Sequence, residues 1–261
     1  MTNPISSGSQ RGSGGSILHR LDPRVKVITA FVLIIGIVVT PNYAWLAYPL
    51  LWTLVGSLAA VGQLSVWRLG RRAVLALPFT LAASTLLVTT PGQPLMSAAG
   101  LTVTDTGIGL FLGILLKSWL SMQVALMLTA VTSTPELLAA LRGLGVSKTL
   151  VATISMMQRY LFTLKDEAES LLRARAARSG IESGMKSGGT LLWRAQVTGG
   201  MVGNLFLRSY ERSERVYAAM LARGYSGEVR SFELPPLTWK ALNPAIFVLV
   251  MVIGIQVIVS R

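Results

Sequence analysis

Long uncharged apolar runs dominate the pattern of this chain. They cover residues 27–67, 73–104, 118–135 and 241–260. An α-helix rises ~1.5 Å per residue and therefore needs ~20 apolar residues to cross ~30 Å of hydrocarbon. The runs predict a polytopic membrane protein with about five transmembrane helices. These predicted spans lie near residues 25–40, 44–64, 73–90, 106–131 and 241–260.

A different pattern occupies residues 134–240, where apolar and charged residues alternate with helical spacing. Thr134 has the residue type of an N-cap, with Pro135 in the first turn and an acidic residue behind it, so we predict a helix start there. The apolar positions then follow one helix face through Leu150, Ile154, Met157, Leu161 and Leu164.

Residues 180–189 interrupt the helical pattern with four glycines, and a second long helix is predicted from about residue 190 to Arg223. No segment has the alternation typical of a β-strand. The predicted fold class is therefore all-α, a polytopic membrane protein with two additional long helices. Its predicted segments are a disordered tail (1–16), a membrane domain with four spans (17–133), a helical region (134–240) and a final transmembrane helix (241–261).

The distribution of charge predicts the orientation in the membrane. Basic residues precede the first span, separate the second from the third, and number fourteen between Arg142 and Arg230. The loop between spans one and two has no charge, and residues 91–105 contain no Lys or Arg. By the positive-inside rule, the N-terminus and the 134–240 region are cytoplasmic and the C-terminus is outside. The net charge of +13 is thus explained without a nucleic-acid partner.

Residues that support catalysis or metal binding are scarce. The chain has no Cys, and its single histidine, His19, lies at a basic N-terminal boundary. No paired carboxylates occupy a predicted span, and no spacing typical of a zinc site occurs. We expect a non-catalytic protein that binds no metal or cofactor itself. A polytopic membrane enzyme is disfavoured because no catalytic set is visible.

Lys117 is unusual because it lies in the middle of the fourth predicted span. An ionisable group at that depth is costly and generally faces a polar interior or a partner. Its long aliphatic stem allows a second interpretation, in which the ammonium reaches the membrane surface. Lys117 is therefore a candidate for packing, for contact with a partner subunit, or for snorkelling. A single lysine does not make a transport pathway.

The most informative motif is a repeat with an offset of 45 residues. Glu169, Ala174, Ala177 and Arg178 coincide in register with Glu214, Ala219, Ala222 and Arg223. Each copy predicts a helix that ends in Arg, which suits the negative end of the helix dipole. A small residue follows each Arg, Ser179 in one copy and Gly224 in the other, and Gly224 can adopt the left-handed conformation that closes a helix.

Two similar Arg-tipped helix ends indicate two similar sockets on a dimeric partner. The small residues around each Arg would let the helix end enter a groove. The guanidinium could then form two parallel hydrogen bonds to a buried carboxylate, which Lys cannot reproduce. The competing interpretation is an ordinary solvated basic face, and the duplicated register argues against it.

From Leu18 onward the chain resembles the transmembrane T component of energy-coupling-factor (ECF) transporters. The similar segments are residues 18–26, 134–138, 141–146, 159–160, 166–168 and 219–225. Residues 204–220, Asn-Leu-Phe-Leu-Arg-Ser-Tyr-Glu-Arg-Ser-Glu-Arg-Val-Tyr-Ala-Ala-Met, are most similar to the cobalt and nickel branch, CbiQ.

The resemblance implies that the two motifs, Ala177-Arg178-Ser179 and Ala222-Arg223-Gly224, end cytoplasmic coupling helices and dock into two ATPase subunits. It implies a dimeric, CbiO-like ATPase that binds the ATP and Mg²⁺, and a CbiM-like membrane subunit that binds Co²⁺ or Ni²⁺, with a small accessory subunit in some cases. The location implied is the bacterial inner membrane. The first motif departs from the family pattern because Ser179 replaces Gly.

An alternative resemblance is to the EAA loop of ordinary ABC importer permeases, which form the translocation path themselves. Glu167 and Ala168 precede Gly180, as in that loop. The Ile-x-Leu-Pro stretch that normally follows the Gly is replaced here by Ile-Glu-Ser-Gly at residues 181–184.

Overall fold

The computed structural model describes residues 18, 21–76, 78, 81–91, 94–98, 101–179, 190–226 and 239–260. The chain divides into two units, one formed by Met1–Gly143 and Leu234–Arg261 and the other by Leu144–Glu233. The predicted disordered tail (1–16), His19 and the predicted helix break at 180–189 lie outside the described residues.

The first unit begins with two apolar helices whose ends follow from local sequence. Helix α1 (Pro23–Val39) has Pro at its first position, and the Asp22 carboxylate accepts a hydrogen bond from the Arg24 N–H at 2.9 Å. It ends immediately before Pro41, which disfavours helical conformation in the residue before it. Helix α2 (Ala47–Val61) ends at Gly62.

The prediction that the third span is one continuous helix is wrong. Helix α3 (Val66–Ala73) is followed by 3₁₀ turns at Val74–Ala76 and Leu81–Thr85 and by the single-turn helix α4 (Leu86–Thr89). Pro78 lies between the two 3₁₀ turns. Proline lacks the N–H of the helical ladder and its ring clashes with the preceding turn, so an apolar run of sufficient length does not become one helix here.

A short two-stranded antiparallel sheet was also not predicted. Strands β1 (Pro94–Ala98) and β2 (Leu101–Thr104) pair in a register that places Ala98 opposite Leu101. The β-branched run Thr102-Val-Thr was the available sequence signal, because such side chains favour extended backbone. The other described elements are helical, in agreement with the all-α expectation.

Helix α5 (Asp105–Val131) is, among the described residues, the one helix long and apolar enough to cross a membrane. It is followed by α6 (Thr134–Gly143), and the unit ends with α9 (Trp239–Ser260). Shorter apolar helices occur at Ala47–Val61 and Leu242–Ile258. Helices thus form close to four of the five predicted spans. The count of five crossings remains a prediction.

The start of α6 differs by one residue from the predicted position. The N–H of Ser133 donates to the Glu136 carboxylate at 3.1 Å, and the Ser133 carbonyl accepts the first helical hydrogen bond from Leu137. Ser133 is therefore the cap in place of Thr134, and Pro135 falls at the second helical position.

Helices α1, α2, α5 and α9 form the core of this unit. Gly36 of α1 lies against Val252 of α9 so closely that a Cβ at residue 36 would overlap the valine side chain. The Gln256 side chain donates to the Gly36 carbonyl at 2.8 Å. The largest fully buried apolar side chains are Leu33, Ile37, Leu51, Leu120, Val25, Val55, Val124 and Val248.

The second unit contains two long helices, α7 (Lys148–Ser179) and α8 (Leu191–Ala222), each of 32 residues. Between α6 and α7, Gly145 adopts a φ of 97°, which a residue with a side chain adopts only with strain. Thr190 caps α8 by accepting a hydrogen bond from the Trp193 N–H at 3.3 Å.

Lys117 lies beside the loop between α1 and α2. This loop packs along α5 at Gly109 and Gly113, where a Cβ would approach Tyr43 and Asn42 to 2.7 and 3.0 Å. Gly113 and Gly109 lie about one and two helical turns before Lys117, so that face of α5 carries no side chain at these positions. The Lys117 ammonium lies on the same face. It donates to the Asn42 side-chain oxygen at 2.6 Å and to the Val38 carbonyl at 3.2 Å.

These hydrogen bonds give Lys117 a role within the chain, whereas its predicted contact with a partner subunit is not tested by them. Irregular backbone at membrane depth is tolerated only where its polar groups are satisfied. The ammonium satisfies the Val38 carbonyl in the last turn of α1, where carbonyls have no helical partner.

We predict that Lys117→Met lowers the free energy of unfolding by about 1–3 kcal/mol, because the Val38 carbonyl and Asn42 lose their donor. Denaturant titration of the detergent-solubilised chain measures this. The control is Lys165→Met, since the side chain of Lys165 is 68% exposed and forms its ion pair with Glu169 of the same helix. Adding Asn42→Leu to Lys117→Met should cost less than the sum of the single changes. Equal stability of the two lysine variants would contradict this role.

Candidate functional site

Helices α7 and α8 run antiparallel, as three sets of contacts along their length show. Near the end of α7, Arg175 donates to the Thr198 hydroxyl at 3.4 Å. In the middle, Glu167 contacts Arg212. Toward the start of α7, Tyr160 lines a common groove with the last turn of α8. The C-terminal ends of the two helices therefore lie at opposite ends of the pair.

An ion pair joins the two helices between their other contacts, and we refer to this contact as the crossing. The Glu167 carboxylate is 15% exposed and accepts a hydrogen bond from Arg212 at 2.9 Å, with Arg208 at 3.6 Å from its other oxygen. Other ion pairs of the described part of this unit join residues four apart on one helix and are far more exposed. Screening by solvent makes such exposed pairs weak, so Glu167 provides the main electrostatic link between α7 and α8.

The crossing point has the same offset as the sequence repeat. Glu167 and Arg212 are 45 residues apart, as are Arg178 and Arg223. Each terminal Arg consequently lies eleven residues beyond the crossing on its own helix, a distance of ~16 Å at 1.5 Å per residue. The two Arg-tipped ends thus lie the same number of residues from this one contact, in opposite directions along the pair.

The sequence analysis missed the pairing of Glu167 with Arg212. The signal was present, since the two residues occupy equivalent positions of the repeat and carry opposite charges. At a true two-fold contact identical residues would face each other. The divergence of the repeat lets an acid face a base instead.

The end of α8 has the geometry predicted for a Gly-closed helix. Gly224 adopts a φ of 80°, and its N–H donates to the Leu221 carbonyl at 2.9 Å. The Tyr225 N–H donates to the Met220 carbonyl at 3.0 Å. This pair of hydrogen bonds is the Schellman motif, and it leaves the preceding Arg223 exposed at the tip.

The end of α7 presents its motif differently. Ala177 and Arg178 are exposed in the last turn, and the side chain of Ser179 lies outside the described residues. Arg175, one turn earlier, lies over the Trp193 ring at 5.9 Å from its centroid in addition to contacting Thr198. Because Arg175 is engaged within the chain, Arg178 is the arginine that this helix end presents outward.

No cluster of three or more His, Cys, Asp or Glu side chains that could hold a metal ion occurs in the part of the chain that the structure describes. The arrangement of α7 and α8 suits contact with another protein at two points.

Comparison with known proteins identifies the family to which the sequence is similar. The sequence model of the CbiQ family, described as "Cobalt transport protein", matches residues 14–233. The chain is 27% identical to an energy-coupling factor transporter transmembrane protein, EcfT, of Limosilactobacillus fermentum, over 94% of both chains. It is 26% identical to the EcfT of Bacillus selenitireducens, over 95% of this chain and 94% of the relative.

A third relative is described differently. The chain is 26% identical to a putative ABC transporter ATP-binding protein of Bifidobacterium longum. The match covers 97% of this chain and 33% of that protein.

We predict that Gly224→Ala strains the end of α8, because left-handed backbone costs a residue with a Cβ about 1–2 kcal/mol. Apart from the adjoining backbone, no atom of the described residues lies within 4 Å of the added Cβ, so the effect is conformational. Hydrogen exchange of the Tyr225 amide should accelerate roughly tenfold in mass-spectrometric measurements. Gly224→Asn is the control and should be milder, since Asn tolerates this conformation. Unchanged exchange in Gly224→Ala would show that the closing turn does not depend on glycine.

For the crossing, we expect Glu167→Gln to lower the free energy of unfolding by about 1–3 kcal/mol, because two guanidinium groups lose their counter-charge. The matched control on the same helix is Glu169→Gln, whose exposed pairs should contribute less than about 1 kcal/mol. The exchange Glu167→Arg with Arg212→Glu should restore part of the stability that either change alone removes. Equal stability of the Glu167 and Glu169 variants would show that the crossing is held by other contacts.

Proposed function

The chain belongs to the CbiQ family and is a membrane transport subunit of the energy-coupling-factor type, and we propose that it transmits motion from two ATPase subunits to a substrate-binding membrane subunit. In this role it is non-catalytic, and ATP and Mg²⁺ are bound by its partners. Ala177-Arg178-Ser179 and Ala222-Arg223-Gly224 are the proposed docking motifs.

The observation that carries the proposal is that the two Arg-tipped ends lie equal numbers of residues from the ion pair between Glu167 and Arg212. A symmetric dimer presents two copies of one surface related by a two-fold axis. A single chain can engage both copies only if it carries two similar contacts with a matching arrangement. The repeat supplies the contacts, and the crossing at Glu167 and Arg212 supplies the arrangement.

The B. longum relative adds support for an ATPase partner. That protein is described as an ATP-binding protein of an ABC transporter, and a third of its length corresponds to this chain. We infer that this chain works with a dimeric, CbiO-like ATPase.

For the cargo we propose Co²⁺, with Ni²⁺ as the close chemical alternative, because the family is described as cobalt transport proteins. The chain contains no Cys and one His, so it cannot by itself assemble the nitrogen-rich set of ligands that selects these ions. Metal selection is accordingly assigned to a CbiM-like membrane subunit. An accessory membrane subunit would be part of the same assembly.

The orientation proposed is that given by the charge distribution. The protein resides in a membrane, which we take to be the bacterial inner membrane, with its N-terminus in the cytoplasm and its C-terminus outside. The ends of α7 and α8 then face the compartment that contains the ATPases.

We predict that Arg223→Ala weakens binding of the partner ATPase dimer and lowers ATP-driven Co²⁺ uptake, while the amount of chain in the membrane stays unchanged. A charge-assisted hydrogen bond contributes ~1.5–3 kcal/mol, which corresponds to a loss of roughly 10–150-fold in affinity. Arg178→Ala should act in the same direction, and the double variant should lose nearly all uptake. Uptake of radioactive Co²⁺ into cells expressing the complete complex measures the effect.

The control is Arg215→Ala, because Arg215 is equally basic, 69% exposed and located on α8 away from its tip. Full uptake by the double variant would show that the two motifs are ordinary solvated arginines. Co²⁺ uptake by the chain and ATPases without a substrate-binding subunit would instead support an importer permease that forms the path itself.

A further inference from the structure

A groove lies between α7 and α8 beside the Arg223 tip. Its apolar floor includes Met156 and Met220, and two tyrosines, Tyr160 and Tyr225, border it. The closing turn at Gly224 forms one wall, since the Schellman hydrogen bonds bring Tyr225 back over Met220. The groove is thus built from both helices and from the turn that ends α8.

The described lining of this groove contains two guanidinium groups and no carboxylate. Arg159 of α7 and Arg223 of α8 both line it and both are exposed, whereas none of its described lining residues is Asp or Glu. Two cations over an apolar floor form a surface that complements a carboxylate flanked by apolar side chains.

The opposite end of the helix pair does not repeat this arrangement. In the 45-residue register, the position equivalent to Arg159 is Asn204, and that equivalent to Tyr160 is Leu205. Near the Arg178 end, Arg175 is engaged by Trp193 and Thr198. The arginine at position 159 therefore has no counterpart at the equivalent position of α8.

We propose that the groove receives a segment of the ATPase subunit docked at the Arg223 end, a segment in which an Asp or Glu is flanked by apolar side chains. Arg159 is the second cationic contact for that acid, beside Arg223. The proposal rests on the proposed function and extends it, because it makes the two docking ends chemically unequal. The ATPase bound at Arg223 is held by two arginines, and the one at Arg178 by one.

The first test measures the affinity of the purified partner ATPase for the full-length chain in phosphatidylcholine nanodiscs by biolayer interferometry. Arg159→Gln should raise the Kd about tenfold or more, because it removes a charge-assisted contact. Arg215→Gln, the matched control on the exposed side of α8, should leave the Kd within about twofold.

The outcomes separate this proposal from the proposed function. If Arg159→Gln behaves like the control while Arg223→Ala still weakens binding, docking stands and the groove proposal is overturned. If Arg223→Ala is also without effect, both fail. An effect of Arg159→Gln that is seen only with phosphatidylglycerol in the nanodiscs would assign the groove to a lipid headgroup and overturn the proposal.

A second test identifies the occupant directly. Benzoylphenylalanine replaces Tyr160 in the groove or, as the control, Tyr217, which is 57% exposed. After illumination of the purified complex, the Tyr160 position should crosslink to an ATPase peptide that contains Asp or Glu among apolar residues. The Tyr217 position should give less than about a tenth of that yield. A crosslinked peptide without an acidic residue, or equal yields at both positions, would overturn the proposal.

Discussion

The half-buried ion pair between Glu167 and Arg212 is the contact on which the arrangement of the coupling helices depends. It joins the two helices at equivalent positions of the sequence repeat, because Glu167 and Arg212 are 45 residues apart. Breaking a pair of this kind is costly because the remaining charge stays shielded from water without a partner. A fixed crossing holds Arg178 and Arg223 at equal distances on opposite sides. In the proposed function, these two similar helix ends are a matched pair of contacts for a dimeric ATPase.

The two ends share a design but differ in detail. The Arg223 end is closed by Gly224 and Tyr225 and adjoins a groove with a second cation, Arg159. At the Arg178 end, the neighbouring Arg175 is engaged within the chain. A repeat that has diverged in this way can hold two ATPase subunits with unequal strength. In the first unit, Lys117 donates hydrogen bonds to the Val38 carbonyl at the end of α1 and to the Asn42 side chain in the loop that follows.

Features with a local cause could be predicted from the sequence. The helices near four predicted spans follow from apolar length, and the end of α8 follows from the preference of Gly224 for left-handed backbone. The 3₁₀ turns on either side of Pro78 and the strands at 94–104 were missed because an apolar run was given more weight than the proline and the β-branched residues within it. The pairing of Glu167 with Arg212 and the groove at Arg159 depend on how two distant helices pack. Periodicity within a single helix does not contain that information.

The most direct test of coupling is a distance measured within the working complex. Because the chain has no Cys, spin labels at Arg173→Cys and Ala218→Cys would be the only ones it carries. These exposed sites are equivalent in the repeat and precede the two Arg tips, so docking is left intact. Double electron–electron resonance on the assembled transporter should give a shorter mean separation with ATP than without nucleotide, since closing of the ATPase dimer draws the two helix ends together. Identical distance distributions in both states would contradict transmission of motion through the two helices.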